Sequence, residues 1–297
     1  MGFKQRFLLE SAYAYNLNED NYGDYLSDYD YYKLWPLNSW CRIWIDDKLT
    51  LKYMLEGTEF SNLLPEYYFY STSNGLRELI NNPYKGNQNA STLITILKNK
   101  GELACKPNNG SLSVGFFKLS FYKKKLYINE IETNDEGIAS FVKSHPNYIF
   151  TEYLHPCKKI SEIHKLIHTL RVVIVNENGN EPKIIGGYMR FGTSGHGNTN
   201  HMNIDADSKS DYDFVADVDF NKGYISNAKS IYWNKVVNTS RHPESQVLVE
   251  IGLPNWDKAK SQLLNLSKFL FNCQYIGIDA CFTDEGMKIM EINSLQV

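Results

Sequence analysis

The apolar positions of this 297-residue chain fall into short runs, most of them strand-length and rich in Ile, Val, Tyr and Phe. Gly, Asn, Asp or Pro bounds most of them, as expected between strands. Strands are predicted over 67–70, 101–107, 114–121, 147–154, 168–175, 182–192, 275–282 and 287–292. A period near 3.6 marks helices elsewhere. One begins near Asp47, with Leu51, Met54 and Leu55 on one face. Others cover 93–98 and 136–145, and one follows Pro254. There Trp256, Ala259, Leu263, Leu266 and Leu270 form a stripe, and Asn255 stands where a cap belongs. Residues 72–91, rich in Ser, Asn and Gly, predict a helix and an exposed connection; 205–245 predict short strands and turns. Tyrosines spaced three and four apart in the first 45 residues predict a helix or helical pair with an aromatic face. Packing is favoured there over a stacking surface for sugars or bases. The mixture is α+β.

The last predicted hairpin carries the sharpest chemistry. Its first strand is almost wholly apolar, its turn is Thr283-Asp-Glu-Gly286, and three oxygen-bearing residues interrupt the pattern. Glu291 and Asn293 are two apart and share a strand face; Asp279 falls roughly opposite on the partner. Two carboxylates buried together without a cation would cost several kcal/mol. A hard divalent ion, Mg2+ foremost, suits carboxylate and amide oxygens that leave positions for phosphate or water. A surface hairpin with solvated acids is the alternative.

Three further stretches hold candidates. Lys106 ends a strand, Asn108 to Gly115 is a small-residue loop containing Gly110 and Ser111, and Lys118 lies on the next strand. Backbone N–H groups of such a loop can close on phosphate oxygens while lysines supply charge. No Gly-Lys-Ser/Thr opens a helix, so this is not a P-loop. Glu152, Tyr153 and Leu154 end a β-branched and aromatic strand. Arg171 and Arg190 sit in apolar strands joined by a turn at Gly179, and each needs an anion or carboxylate partner. His164 and His168 have helical zinc-pair spacing but no third ligand, so capping or lining a loop is the better reading. Residues 193–203 form a polar loop, for substrate or without order.

Composition narrows the class. A net charge of −3 and a pI near 6.2 argue against a nucleic-acid footprint. Five cysteines without C-x-x-C read as reduced thiols of a cytoplasmic protein. No apolar run is long enough for stable membrane insertion, and the start lacks a signal-peptide core.

In order along the chain stand Lys106, the glycine-rich loop, Lys118, Glu152-Tyr-Leu, Thr-Leu-Arg171, Arg190, His-Pro, Pro-x-Trp, Tyr-Ile-Gly-x-Asp279 and Glu291-x-Asn293. This order resembles the ATP-grasp superfamily, and from His168 to Asn293 its sugar-transfer-associated branch. The resemblance covers roughly residues 40–297. Two departures stand out: no Gly-Gly follows Arg190, and the chain stops four residues after Asn293. The resemblance implies two α+β lobes clasping a nucleotide behind a small, mostly helical segment at 1–45, with lobes at 46–152 and 153–297. It implies ATP and Mg2+ as cofactors. Lys106, Gly110, Ser111, Gly115, Lys118, Glu152, Tyr153 and Leu154 would hold the nucleotide, and Asp279, Glu291 and Asn293 the metal. Arg171 and Arg190 would stabilise the transferred phosphoryl. The implied activity joins a small-molecule or glycan-precursor carboxylate, such as a uronic acid or amino acid, to an amine through an acyl phosphate. A kinase on a sugar or small molecule, or a nucleotide-binding module without turnover, would use the same parts. Oligomeric state is not legible in the sequence.

Overall fold

Two antiparallel seven-stranded sheets build the protein in a computed structural model, which describes residues 6–35, 37–84, 86–110, 114–193, 212–232 and 235–294. The first sheet has the order β2-β1-β7-β3-β4-β5-β6. Its strands are β1 (Tyr67–Thr72), β2 (Gly75–Glu78), β3 (Glu102–Pro107), β4 (Phe117–Tyr122), β5 (Lys125–Ile128), β6 (Ile131–Thr133) and β7 (Tyr148–Glu152). Helices α5 (Ala90–Lys100) and α6 (Asp135–Ser144) belong to its core. Leu93, Ile96, Leu97, Ile138 and Phe141 meet Leu103, Cys105, Leu119 and Phe150 there. Each such side chain contributes about 1.5–3 kcal/mol on burial. Both helices start at asparagine caps: Asn89 accepts from Thr92 N–H and Asn134 from Gly137 N–H.

The second sheet has the order β12-β11-β10-β9-β8-β13-β14. It comprises β8 (Thr169–Val175), β9 (Lys183–Phe191), β10 (Tyr212–Asp219), β11 (Tyr224–Tyr232), β12 (Lys235–Asn238), β13 (Tyr275–Thr283) and β14 (Gly286–Asn293). The apolar stripe of α8 (Trp256–Phe269) joins a core with Leu170, Val172, Met189, Phe191, Phe214, Ile276 and Ile278. Helices α3 (Ile43–Asp46) and α4 (Lys48–Leu55) add Ile45, Leu51 and Leu55 to this same core. The terminal hairpin forms as expected, with Gly286 at φ 121° in its turn.

Several expectations change. No helix forms across 72–84; Thr72 instead pairs with Gly75 in a tight hairpin, leading into β2. Local propensity there yields to pairing with an already buried strand. Strands β5 and β6 lie behind Lys123-Lys124-Lys125, a charged start that hides an edge hairpin. Asn255 is left-handed at φ 47° and makes no side-chain cap bond.

The described residues of 6–42 include short helices α1 (Leu9–Ala14) and α2 (Asp28–Lys33). Among the described side chains of residues 6–42, Phe7 is the one buried hydrophobic. Tyr15, Tyr22, Tyr25, Tyr29, Tyr32 and Trp40 are exposed, so the aromatic face is not packed away as favoured above. All five cysteines are free and four are buried. Among the described residues no helix is long and apolar enough to cross a membrane.

Candidate active site

Directly paired residues of an antiparallel ladder point to the same face. One transverse row of the second sheet therefore reads Tyr188, Arg171, Asp279, Glu291 across β9, β8, β13 and β14. Asn293 shares the face two residues beyond Glu291, and Arg190 two beyond Tyr188. The alternate residues Leu170, Val172, Met189, Ile278 and Ile292 face the α8 core. Period-two alternation thus puts every polar candidate of this sheet on one surface.

Asp279 is 6% exposed, and both its oxygens are engaged by Arg171, through Nε and through Nη2 at 2.9 Å. Burial nonetheless raises its carboxyl pKa, which Arg171 opposes and neighbouring Glu291 reinforces. Burial also works against charged Glu291, but Lys48 and Lys106, with Asn293 and Arg171, together hold that carboxyl below its usual range. Two carboxylates in cross-strand register repel one another, and a divalent cation relieves that repulsion. Asn293 Nδ2 donates to Glu291 Oε1 at 3.3 Å, so its amide lies beside the pair. Ionised carboxylates keep lone pairs beyond those used by Arg171. Two carboxylates and an amide oxygen fit Mg2+, whose remaining ligands come from phosphate and water. Among the described residues no three His, Cys, Asp or Glu gather to hold a metal by themselves.

The first sheet supplies the lysines. In β3, Glu102, Ala104 and Lys106 alternate with the buried Leu103 and Cys105, and Lys118 pairs with Ala104. Lys106 and Lys118 thus share one face. That face meets the second sheet, for Lys106 Nζ donates to Met290 O at 3.1 Å, next to Glu291. Burial, with Lys48 adding, pushes Lys106 down to about 8. Lys118 is ion-paired with Glu102 and sits 4.6 Å over the Tyr153 ring. Glu102 also binds His155 at 2.9 Å; that bond, then Lys118, hold it at about 2 against burial. Glu152 pairs with Leu103, so it takes the other face, where Oε2 accepts from Glu66 N–H at 3.1 Å. Tyr153 and Leu154 follow the strand end, where the chain passes between the sheets. Gly110 offers its carbonyl to Lys48, and Gly115 packs against Pro107 and Tyr148. Ser111 lies outside the described residues, as do 194–203 of the polar loop.

The sequence reading missed Lys48. It is 5% exposed, donates to Gly110 O at 2.9 Å and stands 3.6 Å from Glu291 Oε2. Asp47 caps α4 through Thr50 N–H and accepts from Asn108 and Asn109 at 2.6 and 2.7 Å. One dipeptide therefore ties α4, the glycine-rich loop and Glu291 together. The signal was an Asp-Lys at a helix start; nothing local said where the lysine would point.

His168 and His242 line the root of the polar loop. His168 Nδ1 accepts from Gly192 N–H at 2.9 Å, and His242 Nε2 contacts Gly192 O at 3.0 Å. Burial lowers His168 to about 3.

Two antiparallel sheets facing each other across lysines and a carboxylate hairpin define a nucleotide-clasping architecture. The family model for sugar-transfer-associated ATP-grasp proteins matches residues 43–297, and the chain belongs to that family. Comparison with curated proteins gives no match. Among solved structures, D-alanyl-alanine synthetase A of Vibrio cholerae is 14% identical over 85% of this chain, with a TM-score of 0.45. D-alanine–D-alanine ligase of Bacillus anthracis is 15% identical over 84%, with a TM-score of 0.37. The chain spans 56% and 57% of these two structures.

Proposed function

We propose that this protein is an ATP-dependent carboxylate–amine ligase that activates its acid as an acyl phosphate. The observation carrying the reading is the reach of Lys106 to the backbone beside Glu291, which sets phosphate-binding charge and metal-binding oxygens in one cleft. Lys48, Lys106 and the loop Gly110 to Gly115 hold the triphosphate, with Lys118 nearby at Glu102 and Tyr153. Asp279, Glu291 and Asn293 would hold Mg2+, which neutralises phosphate charge when bound. The substrate carboxylate attacks the γ-phosphorus, the bond to the β-phosphate oxygen breaks, and ADP leaves. The amine then attacks the acyl carbon and phosphate leaves, the amine giving up one proton. Arg171 and Arg190 lie on the same face to stabilise the transferring phosphoryl and the tetrahedral oxyanion. Closure of the loop excludes water that would hydrolyse the acyl phosphate. Membership of a sugar-transfer-associated family supports a glycan-precursor acid as substrate.

The test is incubation with MgATP, candidate acids and hydroxylamine. Hydroxamate with ADP release is expected, and Glu291→Gln should abolish both. ADP release with a phosphorylated product and no hydroxamate would make the protein a phosphotransferase instead. Undiminished turnover by Glu291→Gln would remove the metal assignment.

A further inference from the structure

Arg171 and Arg190 share a sheet face but are held differently. Arg171 grips Asp279 through two nitrogens. Arg190 is 8% exposed and donates from Nη2 to the Tyr188 hydroxyl at 2.8 Å. Among the described residues it has no carboxylate partner, and its buried Nε–H has no acceptor. Its aim therefore depends on the backbone that carries it. The ladder of β9 with β10 ends at Phe191, paired with Phe214. Buried Gly192 follows, and both its peptide groups meet imidazoles. His168 Nδ1 accepts from Gly192 N–H at 2.9 Å, and His242 Nε2 meets Gly192 O at 3.0 Å. A Cβ on Gly192 would stand 2.7 Å from Leu166 Cβ and 2.8 Å from Ile167 O, so the stretch before β8 closes tightly on this residue.

Both rings are neutral by their bonding. Gly192 O needs a donor, so His242 carries its proton on Nε2, while its Nδ1 accepts from Glu244 and Ser245 N–H at 3.3 and 3.4 Å. Gly192 N–H needs an acceptor, so His168 also carries its proton on Nε2. His168 and His242 are 1% and 0% exposed and lie edge-on to Phe191 and Phe214 respectively. His164 stacks on His242, ring centres 5.0 Å apart, and reaches Glu244 at 3.2 Å. Burial first, then neighbouring imidazoles, holds both rings below the usual histidine range.

We propose that His168 and His242 are positioning residues for phosphoryl transfer: they clamp the Gly192 peptide from two sides and so hold Arg190, two residues earlier, at the transferring phosphoryl. This rests on the ligase reading above, which gives Arg190 that charge to stabilise. The clamp joins three separate stretches, before β8, after β9 and after β12, so the end of β9 is fixed against both of the others. Preorganised donors stabilise a transition state only while they stay aimed at the developing charge. Arg171 takes its aim from a carboxylate; Arg190 takes its aim from this peptide.

Isothermal titration of MgADP into the full chain, with and without aluminium fluoride, tests this, the fluoride complex standing in for the phosphoryl group in flight. The wild type should bind MgADP at least about tenfold tighter with aluminium fluoride present, and Arg190→Ala should lose that gain. His242→Phe and His168→Phe, which keep a ring but no nitrogen, should lose most of the gain while binding MgADP alone as the wild type does. His242→Gln, which keeps a donor, and His168→Asn, which keeps an acceptor at the Nδ1 position, should retain it. In an Arg190→Ala background His242→Phe should add no further loss. Both positions are tested so that if one variant unfolds the other decides. A full gain in the phenylalanine variants, or a further loss on top of Arg190→Ala, would overturn the clamp. So would weaker binding of MgADP alone in the phenylalanine variants, which would make the histidines merely structural, or loss of the gain in both His242→Gln and His168→Asn. A wild type that shows no gain would instead remove the phosphoryl-transfer reading on which the clamp rests.

Discussion

Lys106 shows at the scale of one residue why function and stability pull apart. Burying its ammonium costs the folded state, and proximity to Lys48 adds to that cost. Its folded pKa of about 8 lies below the ordinary 10.5. Between those values the unfolded chain holds a proton that the folded chain has released, so stability from this group rises with pH across that window. Lys106→Met should therefore raise the melting temperature of the nucleotide-free protein at pH 7 and erase its share of the rise above pH 8, while weakening MgADP binding by tenfold or more (roughly 1.4 kcal/mol or above). In the wild type, MgADP affinity should fall as pH climbs through about 8, because the deprotonated amine no longer meets phosphate. Lys106→Arg, which stays charged, should lack that fall. A titration of MgADP affinity against pH checks all three proteins. Only residue types were legible here. That Lys106 carries charge follows from its letter; that its charge is strained follows from its burial in the folded chain, with Lys48, more than fifty positions away, adding to it.

At the scale of elements, α4 and the glycine-rich loop act as one unit through Asp47. Asp47→Ala removes the helix cap and two side-chain amide bonds at the loop. The expected loss is about 1–2 kcal/mol in urea denaturation, with weaker MgADP binding because Lys48 loses its anchor. Equal nucleotide affinity in the variant would separate the helix from the site. In the core, Leu263→Ala on α8 should cost about 2–5 kcal/mol without touching nucleotide affinity, since Leu263 faces away from the polar row. Elements with strong periodicity were legible: α8, β8, β13 and β14 lie close to their predicted positions. β2, β5 and β6 were not, because short polar edge strands are fixed by their neighbours rather than by their own sequence.

At the scale of the molecule, the second sheet is a two-sided device: one face is packed core, and the other carries the row from Tyr188 to Glu291. The first sheet presents Lys106 and Lys118 to that row, and the N-terminal segment is pinned at its far end by Asn38. Asn38→Ala should leave two buried backbone groups of Tyr275 unpaired, at a cost of about 1–3 kcal/mol, and hasten proteolytic cutting within 6–42. The remainder should stay protected, because residues 6–42 give Phe7 alone to the buried hydrophobics described. The sequence by itself determined the strand alternation and the carboxylate hairpin, which depend on residues two to a dozen apart, and the order of motifs, which is read directly along the chain. Tertiary structure alone decided that Arg171 pairs with Asp279, that Lys48 joins the site, and that the tyrosines stand open beside the polar face. Those contacts join residues scores to hundreds of positions apart, and no local pattern encodes where such partners meet.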